Sequence, residues 1–223
     1  MKLVKHPECS LPVENFDSAE EKNQVKRHGE LLPHSIRSLI IGPSNCGKTN
    51  ALMSLIIHPN GLRFENVYLW SKSLEQSKYQ RLKEILEPLE GISFQGFRNA
   101  EDAPEKPLPR SVFIFDDLAG SSHIPIMQYF SFGRHFEVDC FYLGQTYSKI
   151  PKQLIRDNAN FIILFKQDDT NLRHVYDEHV NSQVDWSMFK KMCGMCWSQP
   201  FGFLVIDKDN NNFRKGFDEF FTL

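Results

Sequence analysis

Between Gly42 and Thr49 the chain reads Gly-Pro-Ser-Asn-Cys-Gly-Lys-Thr, a complete G-x-x-x-x-G-K-[ST] with an apolar run before it and a helical pattern after it. That setting is what a phosphate-binding loop requires. Glycines let such a loop wrap with its backbone N–H groups pointing inward, and the following helix N-terminus adds partial positive charge. Lys48 would reach the β- and γ-phosphates, and the Thr49 hydroxyl suits magnesium. Gly42, Pro43, Ser44, Asn45, Cys46, Gly47, Lys48, Thr49 and Asn50 are therefore candidate nucleotide contacts, with ATP and Mg²⁺ as the expected cofactors.

Further along, Val112-Phe113-Ile114-Phe115-Asp116-Asp117 is an apolar run ending in two carboxylates. A buried strand that delivers acids at its C-terminal end brings them to the edge where open α/β sheets bind ligands. Asp116 is then the candidate magnesium acid, and Asp117 the candidate base that polarises an attacking water. Asp139-Cys140-Phe141-Tyr142-Leu143-Gly144 is a third such run and ends in Gln145. An amide there could sense a γ-phosphate and hold water, since it both donates and accepts, although the residues alone favour an ordinary strand-to-loop exit.

These groups need a scaffold, and the chain supplies an alternation of apolar β-rich runs with helical patterns from about residue 37 onward. Strands are expected at Arg37–Ile41, at Asn66–Trp70, at Ser111–Phe115, at Cys140–Leu143 and at Phe161–Phe165. Helices are expected from Lys48, around Lys78–Leu86, near Ile126–Phe132, near Gln153–Arg156 and twice after Lys166. Uninterrupted apolar strands are buried on both faces, so the expected fold is α/β, a mainly parallel sheet with helices on both sides. The ending, Phe201 to Ile206 and a second extended run after a turn at Lys208 to Asn212, reads as an antiparallel hairpin at a sheet edge. A length of 223 residues allows one substantial domain, expected over 35–223, preceded by a polar, mixed-charge arm over 1–34.

Composition narrows the classes further. A net charge of -2, with 26 basic against 28 acidic residues, argues against a monomer that coats nucleic acid or anionic lipid. Five cysteines without framework spacing predict a reducing, intracellular setting, and no apolar run approaches the length of a membrane span. Cys193-x-x-Cys196 with His174 and His179 upstream reads either as a zinc site or as buried free thiols. Cys46 sits at a helix N-terminus beside Lys48, a setting that predicts a lowered thiol pKa and a nucleotide-protected reactive thiol, or else a small side chain that merely fits the loop. Two cationic groups, Lys149, Lys152 and Arg156, and Lys72, Lys78, Arg81 and Lys83 around Glu75, are candidate DNA phosphate contacts or solvated faces. Phe201, Phe203, Phe213, Phe217, Phe220 and Phe221 crowd the C-terminus. Most suit a hairpin core, with Phe220 and Phe221 free to dock on a partner.

IIGPSNCGKTN, SVFIFDDL, FGRHFEVDCFYLGQTYSKIPKQLIRDNANFIILF and GFLVIDKDNNNFRKGFDEFF together resemble the viral genome-packaging ATPases of the FtsK/HerA superfamily, most nearly the poxvirus-type ATPases of virophages and Polinton-like elements. The resemblance runs from about residue 35 to the end. It implies a RecA-like P-loop NTPase in which the glutamine strand lies between the two other motif strands. It further implies a homo-oligomeric ring, pentamer or hexamer, that translocates double-stranded DNA into a preformed capsid at its portal vertex. The setting implied is an infected host cell, in a viral factory or nucleus, with virion association as a further location. Gly42, Gly47, Lys48 and Thr49 carry over as the nucleotide loop, Asp116 as the magnesium acid, Asp117 as the base and Gln145 as the sensor. Many relatives place glutamate where Asp117 stands. Arg134, in Gly133-Arg134-His135, matches a Gly-Arg pair of the wider superfamily and is the expected arginine finger toward a neighbouring subunit, with Arg156 as the alternative. Two rival readings are a small-molecule or nucleoside kinase and a non-catalytic nucleotide-binding assembly protein.

Overall fold

The apolar runs become strands whose side chains alternate between two cores, so each strand must be covered twice. In the computed structural model, which describes residues 26–99, 102, 104, 107–116, 118, 124–180 and 183–222, the strands are β1 (Arg37–Ile41), β2 (Asn66–Ser71), β3 (Ser93–Phe97), β4 (Ser111–Asp116), β5 (Val138–Gly144), β6 (Phe161–Phe165), β7 (Phe203–Asp207), β8 (Asn212–Lys215) and β9 (Glu219–Phe220). The helices are α1 (Lys48–Ile57), α2 (Ser77–Leu86), α3 (Ile124–Phe132), α4 (Asp169–His179) and α5 (Trp186–Cys196). Among the described residues the strands form one nine-stranded sheet in the order β3-β2-β4-β5-β1-β6-β7-β8-β9. Pairing is parallel from β3 to β6 and antiparallel from β6 to β9. The expected fold class, a mainly parallel sheet with helices on both faces and a C-terminal antiparallel hairpin, is the observed one.

One core gathers Leu39, Trp70, Phe113, Phe115 and Tyr142 from the sheet under α3, α4 and α5. The other gathers Ile40, Leu69, Ile114, Leu143 and Ile163 under α1 and α2. The period-2 split of neighbours such as Leu39 and Ile40 between the two cores follows from the pleat.

Three elements depart from the sequence reading. β3 was not expected: its residues Ser93, Phe94, Gln95, Gly96 and Phe97 are partly exposed at the sheet edge and lack an apolar signature. β9 adds a further short strand after the hairpin. The stretch Lys152–Arg156 is a π turn, with Arg156 N–H donating to Pro151 O at 3.3 Å and Asp157 N–H to Lys152 O at 3.1 Å. Both bonds span five residues, the spacing of a π turn.

Two buried carboxylates tie the sheet together away from the loop. Asp139 on β5 accepts from Ile36 N–H at 2.8 Å and lies 3.1 Å from Arg27 Nη2 and 3.0 Å from His28 Nε2, which draws residues 27–28 against the sheet. Asp207 on β7 pairs with Arg214 on β8 at 2.9 Å, each side chain about 1% exposed. Arg214 Nη1 also donates to Leu31 O at 2.6 Å and Phe217 O at 3.1 Å, and Asp207 accepts from Asn210 N–H at 3.0 Å. Removing one partner of a buried pair leaves an uncompensated charge, at a cost of about 3–5 kcal/mol. Asp207→Ala is therefore expected to lower the melting temperature by roughly 10 °C in a chain of this size, read by circular dichroism. An unchanged melting temperature would show that the pair does not hold the hairpin.

Candidate nucleotide-binding site

The loop after β1 leaves the sheet at its C-terminal edge and turns into α1 through two left-handed residues, Asn45 (φ 62°) and Gly47 (φ 108°). Glycine is the residue that adopts φ near 100° without strain. Gly42 is fixed by space: a Cβ there would stand 2.5 Å from Cys46 Sγ and 2.5 Å from Phe165 Cβ. Gly42 N–H donates to Gly144 O at 3.1 Å, so the loop is bonded directly to the end of the glutamine strand. Lys48 Nζ folds over the loop and donates to Gly42 O at 2.7 Å and Pro43 O at 2.9 Å.

The strand order β4-β5-β1 brings three sequence motifs to one edge, with the glutamine strand in the middle as the resemblance implies. A cavity of about 470 Å³ opens there, and its walls include Lys48, Thr49, Asp116, Gln145, Lys78 and Lys149. Ser44 and Asn45 also face it. Asp116 and Thr49 supply hard oxygen donors, and Mg²⁺ is commonly held by one or two protein groups together with substrate phosphates, so the residues present fit that ion. Asp117 lies outside the described residues.

The structure adds residues that the sequence did not single out. Tyr79 on α2, buried at 2% exposure, donates its hydroxyl to Asp116 Oδ2. Its spacing with Leu82 and Leu86 reads as an ordinary apolar helix face, and nothing in the sequence points its hydroxyl at an acid. Gln76, at the start of the same helix, lines the cavity as well.

Other expectations fall differently. Arg134 is exposed in the turn Gly133–Phe136 that precedes β5, at the sheet edge opposite the loop. The seven residues of β5 separate the two edges by roughly 20 Å, so Arg134 does not reach the cavity of its own chain. Arg156 is engaged internally, 3.2 Å from Glu178 and over the Tyr147 ring at 4.8 Å. Glu75 pairs with Arg98, Arg81 with Glu84 and Lys83 with Glu87, so the second cationic group is interleaved with acids beyond Glu75.

Cys193 and Cys196 are buried in the core face of α5; burial pushes the Cys193 thiol well up and the Cys196 thiol to about 12. His179 is buried 2.7 Å from the Tyr147 hydroxyl, whereas His174 is exposed. Among the described residues no group of three or more His, Cys, Asp or Glu side chains could hold a metal ion. No helix among them is long and apolar enough to cross a membrane. Phe213 is fully buried and Phe221 packs on the core, while Phe220 and Phe201 are exposed.

Cys46 corrects a sequence expectation. Its thiol pKa is raised, because half-burial against the loop outweighs the opposing pull of Lys48. A raised pKa leaves little thiolate at neutral pH, so alkylation at pH 7 is expected to be slower than for a small free thiol and to climb about tenfold per pH unit through pH 9. Mass spectrometry of iodoacetamide-treated protein across that range checks this. A rate already at its plateau at pH 7 would restore the reactive-thiol reading.

No protein-family model matches the chain, and no curated protein matches it. Solved structures do. The chain is similar to the genome packaging NTPase B204 from Sulfolobus turreted icosahedral virus 2 in complex with sulfate, with a TM-score of 0.57 at 14% identity over 82% of this chain and 96% of that one. The same NTPase in complex with ATP-gammaS gives a TM-score of 0.56 at 13% identity, over 82% and 96%. B204, the DNA-packaging ATPase from Sulfolobus Turreted Icosahedral Virus, gives 0.55 at 14% identity, over 80% and 95%. The fold of this chain is thus the P-loop NTPase fold seen in these viral packaging proteins.

Proposed function

We propose that this chain is the ATPase subunit of a motor that drives double-stranded viral DNA into a preformed capsid. The observation that carries the reading is the cavity at the β4-β5-β1 edge, where Lys48, Thr49, Asp116 and Gln145 face one volume. A similar fold in proteins named as packaging NTPases supports it.

In this reading the loop from Gly42 to Asn50 cradles the phosphates and Lys48 neutralises their charge. Thr49 and Asp116 hold Mg²⁺, which when bound offsets charge developing on the β- and γ-phosphoryl oxygens. Tyr79, by donating to Asp116 Oδ2, helps fix the orientation of the carboxylate that would hold the ion. Asp117 takes the proton of the attacking water, and Gln145 orients that water because its amide both donates and accepts. Arg134 completes the site of a neighbouring subunit in a ring, pentamer or hexamer, whose central channel holds the DNA and whose face meets the capsid or portal vertex. Residues 1–34 are read as an arm on the ATPase domain of 35–223, and the setting as the viral factory or nucleus of an infected cell, with virion association as a further location.

A nucleoside kinase would surround its transferred phosphoryl group with arginines, and none lines this cavity among the described residues. Phosphate release measured with MgATP alone, with a nucleoside acceptor and with linear double-stranded DNA separates the readings. The motor predicts a rate raised by DNA and indifferent to the nucleoside. A rate raised by the nucleoside and accompanied by its phosphorylation would identify a kinase, and no turnover at all would leave a nucleotide-binding assembly protein.

A further inference from the structure

The helix that begins at Lys48 has a second neighbour besides the cavity described above. Gly47, Asn50, Ala51 and Ser54 lie at helical spacing on the other side of its first turns and line a separate, largely apolar groove of about 680 Å³. Sheet order explains the separation. The catalytic cavity lies over β4 and β5 on one side of β1, whereas the groove lies over β6, β7 and β8 on the other side. Both reach the phosphate loop. A nucleotide whose phosphates fill the loop, with its γ-phosphate toward Asp116 and Gln145, has open space for its remaining atoms on the β6 side.

What waits there is aromatic. Phe165 and Phe203 pack with ring centroids 5.2 Å apart, and Phe203 and Phe217 4.9 Å apart, forming the groove's floor at this end. Phe201 stands above them and is 67% exposed. Its backbone is left-handed, φ 62°, an uncommon and strained conformation for a bulky residue. The ring stands beside the loop: its Cδ1 lies 3.5 Å from the point where a Cβ on Gly47 would stand, an ordinary van der Waals distance. Burial offers no reason for an aromatic ring at this position, since the ring buries little. Exposed aromatic faces next to a phosphate site suit a base, because every base has a π-face to stack. Asn50 and Asp218 are among the polar residues that line the groove and can orient a ring in a largely apolar site.

We propose that the Phe201 end of this groove is the nucleobase subsite: the purine of a nucleoside triphosphate stacks on Phe201 above the Phe165, Phe203 and Phe217 floor. The inference rests on the nucleotide-binding reading of the loop and adds the residue that distinguishes a nucleotide from a bare polyphosphate. It also gives the aromatic-rich C-terminal segment a role at the ligand, beyond closing the sheet.

Isothermal titration of the full chain with a non-hydrolysable ATP analogue and with tripolyphosphate tests it. Phe201→Ala is expected to weaken the analogue by about tenfold or more, the size of a lost base–aromatic stack, while tripolyphosphate binds as to the wild type. Phe201→Trp, which keeps a stacking face, restores the analogue's affinity. Equal affinity of Phe201→Ala and wild type for the analogue overturns the proposal. So does a parallel loss of both ligands, which would make Phe201 a support for the loop. If the wild type binds neither ligand, the nucleotide-binding reading itself fails and the subsite with it; if it binds both and Phe201→Ala changes neither, the base subsite alone fails.

Discussion

Lys48→Ala is expected to reduce ATP turnover by about 10²–10³ and to weaken nucleotide binding together with it, without unfolding the protein. The Lys48 ammonium lies over the loop, held by Gly42 O and Pro43 O, which are also the carbonyls at the loop's entry. It is half-buried in the wall of the cavity and outside the two cores, so truncation opens no core cavity, and the loop keeps its other constraints: the Gly42 N–H bond to Gly144 O and the Ala51 N–H bond to Gly47 O at 2.9 Å. The expected phenotype is a folded protein, melting near the wild type, that has lost the charge meant for the β- and γ-phosphates. Phosphate release and nucleotide titration on the same preparation read it. A variant with wild-type turnover would remove the loop from the chemistry altogether.

Arg134→Ala is expected to cost more in turnover, about 10³–10⁵, and almost nothing in affinity. The argument is one of placement. Arg134 is exposed and sits a strand's length from the cavity of its own chain, so any effect on hydrolysis has to pass between subunits. This makes a sharper experiment available. Mixed with Lys48→Ala protein, Arg134→Ala subunits should regain turnover, because a boundary that joins an intact loop to an intact Arg134 re-forms in the mixed oligomer. Mixing that recovers nothing, with mixed assembly verified by mass, would place the finger elsewhere. Normal turnover of Arg134→Ala alone would do the same.

What made the site readable in sequence was burial. β1, β4 and β5 are covered on both faces, so they appear as largely apolar runs, and the residues that break those runs at the C-terminal ends, Gly42, Asp116 and Gln145, mark the edge where a ligand can sit. The strand order was legible only through the family resemblance, since no local property of Asp139 to Gly144 says which neighbours it has. Where burial is partial the signal fails: β3 sits at the edge with Gln95 and Gly96 exposed, and its two phenylalanines are too few to announce a strand. Cys46 shows the complementary failure. Its chain neighbour Lys48 is visible in sequence, whereas its packing beside Gly42 and Phe165 is a tertiary fact, and that packing sets the direction of its pKa. Tyr79 and Phe201 are the same case twice: a tyrosine at a core spacing whose hydroxyl meets Asp116, and a phenylalanine in an apolar cluster whose ring is left outside the core.

The net charge of -2 is compatible with a DNA motor if the DNA sees a ring, because symmetry brings each subunit's few exposed cations to one channel. Among the cationic residues first considered, Lys152 and Lys72 are exposed, whereas Lys149 and Lys78 face the nucleotide cavity and Arg156 is held by Glu178. Binding to the isolated subunit should accordingly be weak and fall steeply with salt.

Translocation itself is the central claim, and displacement of a triplex-forming strand from linear double-stranded DNA measures it most directly. The assembled protein with MgATP should strip the third strand in a reaction that needs hydrolysis and stops in Lys48→Ala. Vigorous ATP turnover by an assembled oligomer on that DNA, with the triplex left intact, would contradict the account.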